Sequence, residues 1–208
     1  MSHCILIPTI NRKDLLIEAL DWYLTNLKTQ IIVLDNGKQG IASGSHNLRV
    51  FESQTNKGVA GSWNWLIEKG IKMGYSNFLV LNDDIILKKY EDEINEIISK
   101  WGENTFHRPR PFYNWSAFII NEQIFKKVGK FDEAFVKCFF EDNDYEYRMK
   151  LASVNIRYED KLNADVYRNS QTIEKNPLLG DYVANKEYYI KKWGGVPTEE
   201  QYKTAFNK

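Results

Sequence analysis

The sequence predicts one α/β domain, built on a mostly parallel central sheet with helices on its faces. In the first half, short apolar runs typical of buried strands alternate with segments of helical periodicity, in a β-α-β-β-α-β order that favours parallel pairing. The length of 208 residues is enough for one domain with a substantial core. The composition, 43% hydrophobic and 27% charged, is that of an ordinary globular protein, which argues against a disordered or membrane-embedded class.

The individual elements follow from the same patterns in chain order. In the first half, strands are predicted at 4–8, 31–34, 49–52 and 78–81, with helices at 14–27 and 58–73. The second half is less regular, and it predicts a helix at 88–101, a loop at 102–114, a strand at 115–120, a short helix at 121–129, a helix at 142–152, a strand at 154–158 and a helix at 182–193.

Net charge and cysteine content limit the setting in which the chain works. The 28 basic and 28 acidic side chains balance, which gives no support for nucleic acid as the main partner. Cys4 lies in a strand pattern and is predicted to be a core thiol, which indicates a reducing compartment. We find no transmembrane segment and no signal peptide pattern. We therefore expect a cytoplasmic protein, with docking at a membrane surface left open.

The tripeptide Asn82-Asp83-Asp84 interrupts an apolar run at the end of the fourth predicted strand. Adjacent carboxylates repel each other and resist burial, and a divalent cation is the commonest compensation. In an open α/β sheet, the carboxyl ends of the strands are also where ligands bind. The tripeptide is therefore a candidate metal site near a phosphorylated ligand, although a plain turn explains it equally well in isolation.

A second acidic cluster, Glu141-Asp142-Asn143-Asp144, directly follows an aromatic stretch. Capping of a helix N-terminus explains one or two of these side chains. A carboxylate at the mouth of an apolar pocket can instead have a raised pKa and act as a general base, which makes Asp142 or Glu141 a candidate. Arg148 is expected to pair with Asp144 on the same helix, in a structural role.

The ends of the first two strands are further candidate ligand contacts. Pro8-Thr9-Ile10-Asn11-Arg12 and Asp35-Asn36-Gly37 lie at the predicted edge that carries Asp84, so Thr9 and Asp35 could hold a base and a ribose. Equally, Asn11 could cap the first helix, and Asp35 could belong only to a turn.

Two other segments suggest contacts at close range. The small residues of 56–64 let a ligand approach the N-terminus of a helix, although their glycine spacing matches neither a P-loop nor a dinucleotide fingerprint. Trp115, followed by Ser116 and Ala117, is a candidate platform for stacking a sugar ring, although most tryptophans are core residues.

Taken in order along most of the chain, these segments resemble the inverting glycosyltransferases of the GT-A fold, family 2 type. The matching segments are 7–12, 32–37, 56–64, 81–84, 116–118 with 128–135, and 141–144 with Arg148. No single segment is specific, but six in the family's order are. The resemblance implies a Rossmann-like GT-A core at 1–170, with a nucleotide-binding half at 1–87 and an acceptor-side half at 88–170, followed by a C-terminal helical arm at 171–208.

The resemblance also implies an activity and roles for individual residues. A sugar would pass, with inversion, from a nucleoside diphosphate donor, most readily a UDP-sugar, to a hydroxyl of a glycan, lipid-linked or protein-linked acceptor. Asp142, beside Glu141, would be the base, and Asp84 would bind Mn²⁺ or Mg²⁺. Donor contacts would come from Pro8, Thr9, Asn11, Arg12, Asp35, Asn56, Gly58, Asn64, Asn82 and Asp83. The acceptor and sugar pocket would include Trp115, Ser116 and Ala117.

One departure from the family and two alternatives stay open. Members often carry a histidine after the last core strand, where this chain has none between Asp165 and Ser170. Metal binding could then rest on Asp84, the diphosphate and water, with Arg108, Arg110 or Arg168 as clamps on the diphosphate. The alternatives are a non-catalytic nucleotide-sugar or glycan-binding domain of the same fold, and a sugar-nucleotide pyrophosphorylase. The latter would need a Gly-rich basic loop after the first strand, which 8–12 does not supply.

Overall fold

The computed structural model describes residues 3–100, 102–110, 115–168 and 181–208. In these ranges the strands are β1 (His3–Thr9), β2 (Gln30–Asp35), β3 (Leu48–Glu52), β4 (Asn77–Leu81), β5 (Ile85–Ile86), β6 (Thr105–Arg108), β7 (Ala117–Asn121), β8 (Asn155–Tyr158) and β9 (Val166–Tyr167). The helices are α1 (Lys13–Asn26), α2 (Gly58–Lys72), α3 (Glu91–Lys100), α4 (Glu122–Val128), α5 (Glu141–Leu151) and α6 (Tyr182–Trp193).

The central sheet has the strand order β3-β2-β1-β4-β7-β6-β8, and β5 pairs with β9 beside it. Strands β1 to β4 are parallel to one another, β7 is antiparallel to both β4 and β6, and β8 is parallel to β6. Thr9 is in register with Asp35, and Leu6 is in register with Val80. The carboxyl ends of β1, β2 and β4 therefore meet at one edge, and the predicted mostly parallel α/β sheet is confirmed.

Helices cover both faces of the sheet, which explains why its central strands read as continuous apolar runs. Along β1, Ile5 and Ile7 join the core cluster on the side of α1 and α3. Cys4 and Leu6 join the cluster on the side of α2, α4 and α5, because successive side chains of a strand point to opposite faces. Cys4 is a buried free thiol, as predicted.

A third hydrophobic cluster, made of aromatic side chains, attaches α6 to the rest of the chain. Tyr189 and Trp193 of α6 pack with Phe135, Phe140 and Tyr147, which lie before and within α5. The structure thus places the described part of the predicted arm against the start of α5, while the predicted boundary at 170 lies outside the described residues. No helix in the described ranges is long and apolar enough to cross a membrane.

The predicted loop at 102–114 is wrong, because part of it is β6. All of β6 is buried, although it contains His107 and Arg108. These polar side chains are tolerated because each has an acidic partner: His107 pairs with Glu159, and Arg108 pairs with Glu146. The predicted helix at 182–193 is confirmed over that range. The helix predicted at 88–101 ends at a position, 101, that lies outside the described residues.

Candidate functional site

A cavity of about 690 Å³ lies at the carboxyl edge of the parallel strands. Its walls come from the ends of β1 and β4, the first turns of α2, the residues just before β7, the segment leading into α5, and parts of β9 and α6. This is the edge at which open α/β sheets bind ligands. The cavity therefore joins the two acidic clusters that the sequence analysis singled out, which are 57 or more residues apart in the chain.

The first acidic cluster, Asn82-Asp83-Asp84, lines the cavity directly after β4. Its backbone is held on two sides: the Asn82 amide donates to the Ser116 carbonyl at 2.9 Å, and the Arg168 amide donates to the Asp84 carbonyl at 3.2 Å. Asp83 and Asp84 are both buried. Two adjacent carboxylates at a cavity wall repel each other, and a divalent cation stabilises such an arrangement.

The carboxylates of Asp83 and Asp84 could hold a metal ion only together with a bound ligand. In the described ranges, no group of three or more His, Cys, Asp or Glu side chains is arranged to hold a metal ion. Mg²⁺ is typically held by one or two carboxylates together with phosphate oxygens and water. Asp84, with Asp83 beside it, could therefore hold a divalent cation that is also bound by a diphosphate.

Another part of the cavity wall is formed by Pro8, Thr9, Asn36, Asn56 and Gly58. Asn36 ties this wall together, because its side chain donates to Ser62 Oγ at 2.9 Å and accepts from the Lys57 amide at 3.2 Å. These contacts hold the end of β2 against the first turn of α2.

Gly58 is required for the close approach of α2 to the segment that leads into α5. Its φ is +66°, and a Cβ at this position would lie 2.9 Å from the Lys137 carbonyl oxygen. The next amide, that of Val59, donates to the same oxygen at 2.6 Å. The glycine of the 56–64 segment thus brings two walls of the cavity into contact.

Five residues predicted to bind ligand do not line the cavity: Asn11, Arg12, Asp35, Asn64 and Ala117. Ala117 is buried in the core. Arg12 is buried and pairs with Asp14 at 3.0 Å. Asn11 lies beside the turn after β2, where a Cβ on Gly37 would come within 2.8 Å of Asn11 Oδ1.

Asp35 and Asn64 have local structural partners. The Asp35 carboxylate accepts from the Gly37 amide at 2.8 Å and from the Gln39 side chain at 3.0 Å, so it stabilises its own turn. Asn64 bridges α2 to a distant loop, since it accepts from the Phe131 amide at 2.8 Å and donates to the Phe131 carbonyl at 2.9 Å.

The second acidic cluster brings Glu141 and Asp142 to the cavity at the start of α5. Lys137, Phe139 and Phe140 precede it with φ values of +65°, +83° and +71°. Left-handed conformations cost non-glycine residues about 1–3 kcal/mol each and are concentrated at functional sites. Phe140, the N-cap residue of α5, makes no side-chain cap, and the Asp142 carboxylate accepts from the Asn143 amide at 2.8 Å in the first turn.

Both carboxyl groups are shifted towards the protonated form. Burial raises the pKa of Glu141 well above its usual value, and the neighbouring Asp142 charge raises it further. Burial also raises the pKa of Asp142, although the Asn143 amide and the Arg108 charge partly oppose this. Two adjacent acids with raised pKa values at a cavity wall are a candidate pair for proton transfer.

Asp144 does not line the cavity and instead anchors α6. Its fully buried carboxylate pairs with Arg148 at 2.8 Å, which confirms the predicted ion pair. It also accepts from Trp193 Nε1 at 2.8 Å and pairs with Lys192 at 2.6 Å. The last residue of the acidic cluster is therefore structural.

The arginines proposed as diphosphate clamps are held elsewhere. Arg108 pairs with Glu146, Arg110 with Asp160, and Arg168 with Glu18, and none of the three lines the cavity. Among the described residues, the cationic side chains that line it belong to Lys137 and Lys186. Sequence reasoning missed both lysines, together with the cavity-lining residues Trp63, Tyr167 and Tyr182. Of these, Trp63 lies within segment 56–64 and Tyr167 lies within segment 165–170, both of which the sequence analysis had considered for other residues.

Comparisons with known proteins give matches at the level of structure. No family model and no curated protein sequence matches the chain. A mannosyltransferase, PcManGT from Pyrobaculum calidifontis in complex with GDP-Man and Mn²⁺, matches 78% of this chain and 55% of its own at 12% identity and a TM-score of 0.59. GalNAc-T7 with UDP, GalNAc and Mn²⁺ matches 93% of this chain and 49% of its own at 10% identity and a TM-score of 0.67.

These similarities show that the chain has the GT-A fold. The chain spans about half the length of the two solved chains. At 10–12% identity the likeness extends to the fold and no further.

Proposed function

We propose that this protein is a glycosyltransferase that moves a sugar from a nucleoside diphosphate donor to an acceptor hydroxyl, with inversion at the anomeric carbon. The observation that carries the proposal is that Asp84 and Asp142 line the same cavity. Transfer requires a site for a departing diphosphate and a base for an incoming hydroxyl on opposite sides of one sugar ring. The proposal is also supported by the GT-A fold, which the mannosyltransferase and GalNAc-T7 share.

In this proposal the nucleoside lies along Pro8, Thr9, Asn36 and Asn56. We expect the diphosphate near Asp84, with Lys137 and Lys186 as the nearby cations. A divalent cation on Asp84 would neutralise negative charge on the departing diphosphate. Mn²⁺ is the first ion to test, because both solved relatives contain it.

Asp142 is the proposed general base. Its raised pKa makes it a stronger base than an exposed aspartate, so it can accept the proton of the acceptor hydroxyl as that oxygen attacks the anomeric carbon. The glycosidic bond to the diphosphate breaks as the new one forms. A single displacement of this kind inverts the anomeric configuration.

The first experiment separates the base from the donor site. Asp142→Asn should leave the Kd of the nucleotide sugar within about twofold and lower transfer by at least about 100-fold, the usual contribution of general base catalysis. Asp160→Asn is the matched control, since Asp160 is exposed and lies outside the cavity. Full transfer by the Asp142 variant would show that the base is another group.

The second experiment concerns donor and metal. UDP-sugars and GDP-sugars should be titrated into the protein with Mn²⁺ and with EDTA, because the two similar solved structures contain nucleotides with different nucleobases. We expect tighter nucleotide binding with Mn²⁺, and loss of that difference in Asp84→Ala. Equal affinities with and without Mn²⁺ would contradict the metal assignment. Binding without transfer or donor hydrolysis would instead favour a non-catalytic nucleotide-sugar domain.

A further inference from the structure

Among the cavity-lining residues, Trp63, Ser116 and Glu141 each carry a buried polar atom that has no hydrogen-bond partner within the described part of the chain. These atoms are the indole Nε1 of Trp63, the hydroxyl Oγ of Ser116 and the carboxyl Oε2 of Glu141. These residues are only 2%, 3% and 5% exposed, and all three line the cavity. Unsatisfied buried polar atoms are rare in folded proteins and call for a specific explanation.

The three residues come from separate elements that all line the cavity. The Ser116 carbonyl accepts the Asn82 amide at 2.9 Å, so Ser116 adjoins the proposed metal and diphosphate end. Glu141 is next to Asp142 at the proposed base end. The Trp63 ring stacks on Trp115, the neighbour of Ser116, at a centroid distance of 6.1 Å and an angle of 25°.

Their chemistry matches a group that carries several hydroxyls. The indole N–H only donates a hydrogen bond, whereas the serine hydroxyl can donate and accept. The glutamate oxygen accepts when ionised, and a protonated carboxyl can also donate. A pyranose ring offers hydroxyls that do both, so its chemistry is compatible with all three atoms.

We propose that Trp63, Ser116 and Glu141 form the subsite for the donor's glycosyl group, and that the Trp63 N–H is a specificity-determining contact for one of its hydroxyls. This rests on the proposed function, since the glycosyl group must lie between the departing diphosphate and the base. The nucleoside is a poorer occupant because the residues proposed to hold it, Thr9, Asn36 and Asn56, come from the ends of β1 and β2 and the turn into α2, whereas Ser116 and Glu141 belong to other elements. The subsite gives the buried Trp63 N–H a hydrogen-bond acceptor.

The test compares a nucleotide sugar with its own nucleoside diphosphate. Trp63→Phe keeps an aromatic ring beside Trp115 and removes the N–H, and Ser116→Ala removes the hydroxyl. Each variant should weaken binding of the nucleotide sugar about fivefold, as expected for one lost hydrogen bond, and leave binding of the nucleoside diphosphate unchanged. Calorimetric titration with Mn²⁺ present measures both constants.

Trp65→Phe is the matched control, because Trp65 lies on the same helix but packs against Phe51 at 5.3 Å and does not line the cavity. Its two affinities should equal those of the wild type. Ser116→Ala decides the question if thermal melting shows that Trp63→Phe does not fold.

Two results would overturn the subsite. One is an unchanged affinity for the nucleotide sugar in the Trp63 and Ser116 variants. The other is an equal loss of affinity for the nucleotide sugar and for its nucleoside diphosphate. A wild-type protein that binds none of the UDP-sugars and GDP-sugars would instead refute the proposed function itself. A wild type that binds a nucleotide sugar while the variants fail to discriminate would refute the subsite only.

Discussion

Neutralising Asp144 should weaken the attachment of α6 and destabilise the protein, because this carboxylate contacts three groups at once. It is fully buried and contacts Arg148 at 2.8 Å, Lys192 at 2.6 Å and the Trp193 indole at 2.8 Å. Removing one partner of a buried ion pair usually costs about 3–5 kcal/mol, since the other charge stays buried and uncompensated. Lys192 retains Asp132 at 2.7 Å, so we expect Asp144→Asn to lie near the lower end, at about 3 kcal/mol.

Urea unfolding measures this loss in the free energy of unfolding. For a chain of this length, about 3 kcal/mol corresponds to a fall in Tm of roughly 6–12 °C. The urea midpoint should fall with an unchanged m-value if unfolding stays two-state. A separate early transition would mean that α6 comes away before the rest of the protein unfolds.

The matched control is Asp160→Asn, because the Arg110–Asp160 pair is exposed on both sides. This variant should unfold at the wild-type midpoint. A loss below about 1 kcal/mol for Asp144→Asn, the range of ordinary surface pairs, would refute the buried-cluster argument. So would a loss that disappears in high salt, since screening acts mainly on exposed charges.

Three further predictions concern the cavity. Gly58→Ala should destabilise the protein by at least about 1 kcal/mol in urea unfolding, because it adds strain at positive φ and a clash with Lys137; an unchanged midpoint would contradict this. The pKa of Asp142 is raised, so kcat/KM should increase with pH up to a midpoint above the usual aspartate value near 3.9. The folded-state pKa of Glu141 is also raised, so its stabilising contribution is full below about pH 4.3 and is lost as pH rises through the folded value. Glu141→Gln should therefore gain stability relative to wild type between pH 5 and pH 8 in EDTA, and equal pH profiles would contradict the shift.

The parallel half of the fold was predictable because its signals are local. Segment 78–81 is apolar throughout since both faces of β4 are covered, and that pattern is visible in the sequence. The position of Asp84 beside Thr9 then follows from topology, because parallel strands end at the same edge. No structure is needed for this step.

The missed features depend on partners that are distant in the chain. The strand β6 contains His107 and Arg108, whose burial depends on Glu159 and Glu146, 52 and 38 residues further on. Lys186 reaches the cavity only because α6 docks beside α5. No periodicity or propensity encodes such a pairing, so sequence reasoning assigned a loop to the strand and overlooked the lysine.

The segment before α5 explains why α6 belongs to the site and is not an appendage. The Asn185 side chain of α6 donates to the Val136 carbonyl at 3.0 Å and to the Cys138 carbonyl at 2.8 Å. From the other side, the Val59 amide donates to the Lys137 carbonyl at 2.6 Å. These contacts hold a backbone that would otherwise relax from its left-handed conformations, because strain persists only where surrounding structure enforces it. Since Asp142 follows this segment directly, the position of the proposed base depends on α2 and α6 together.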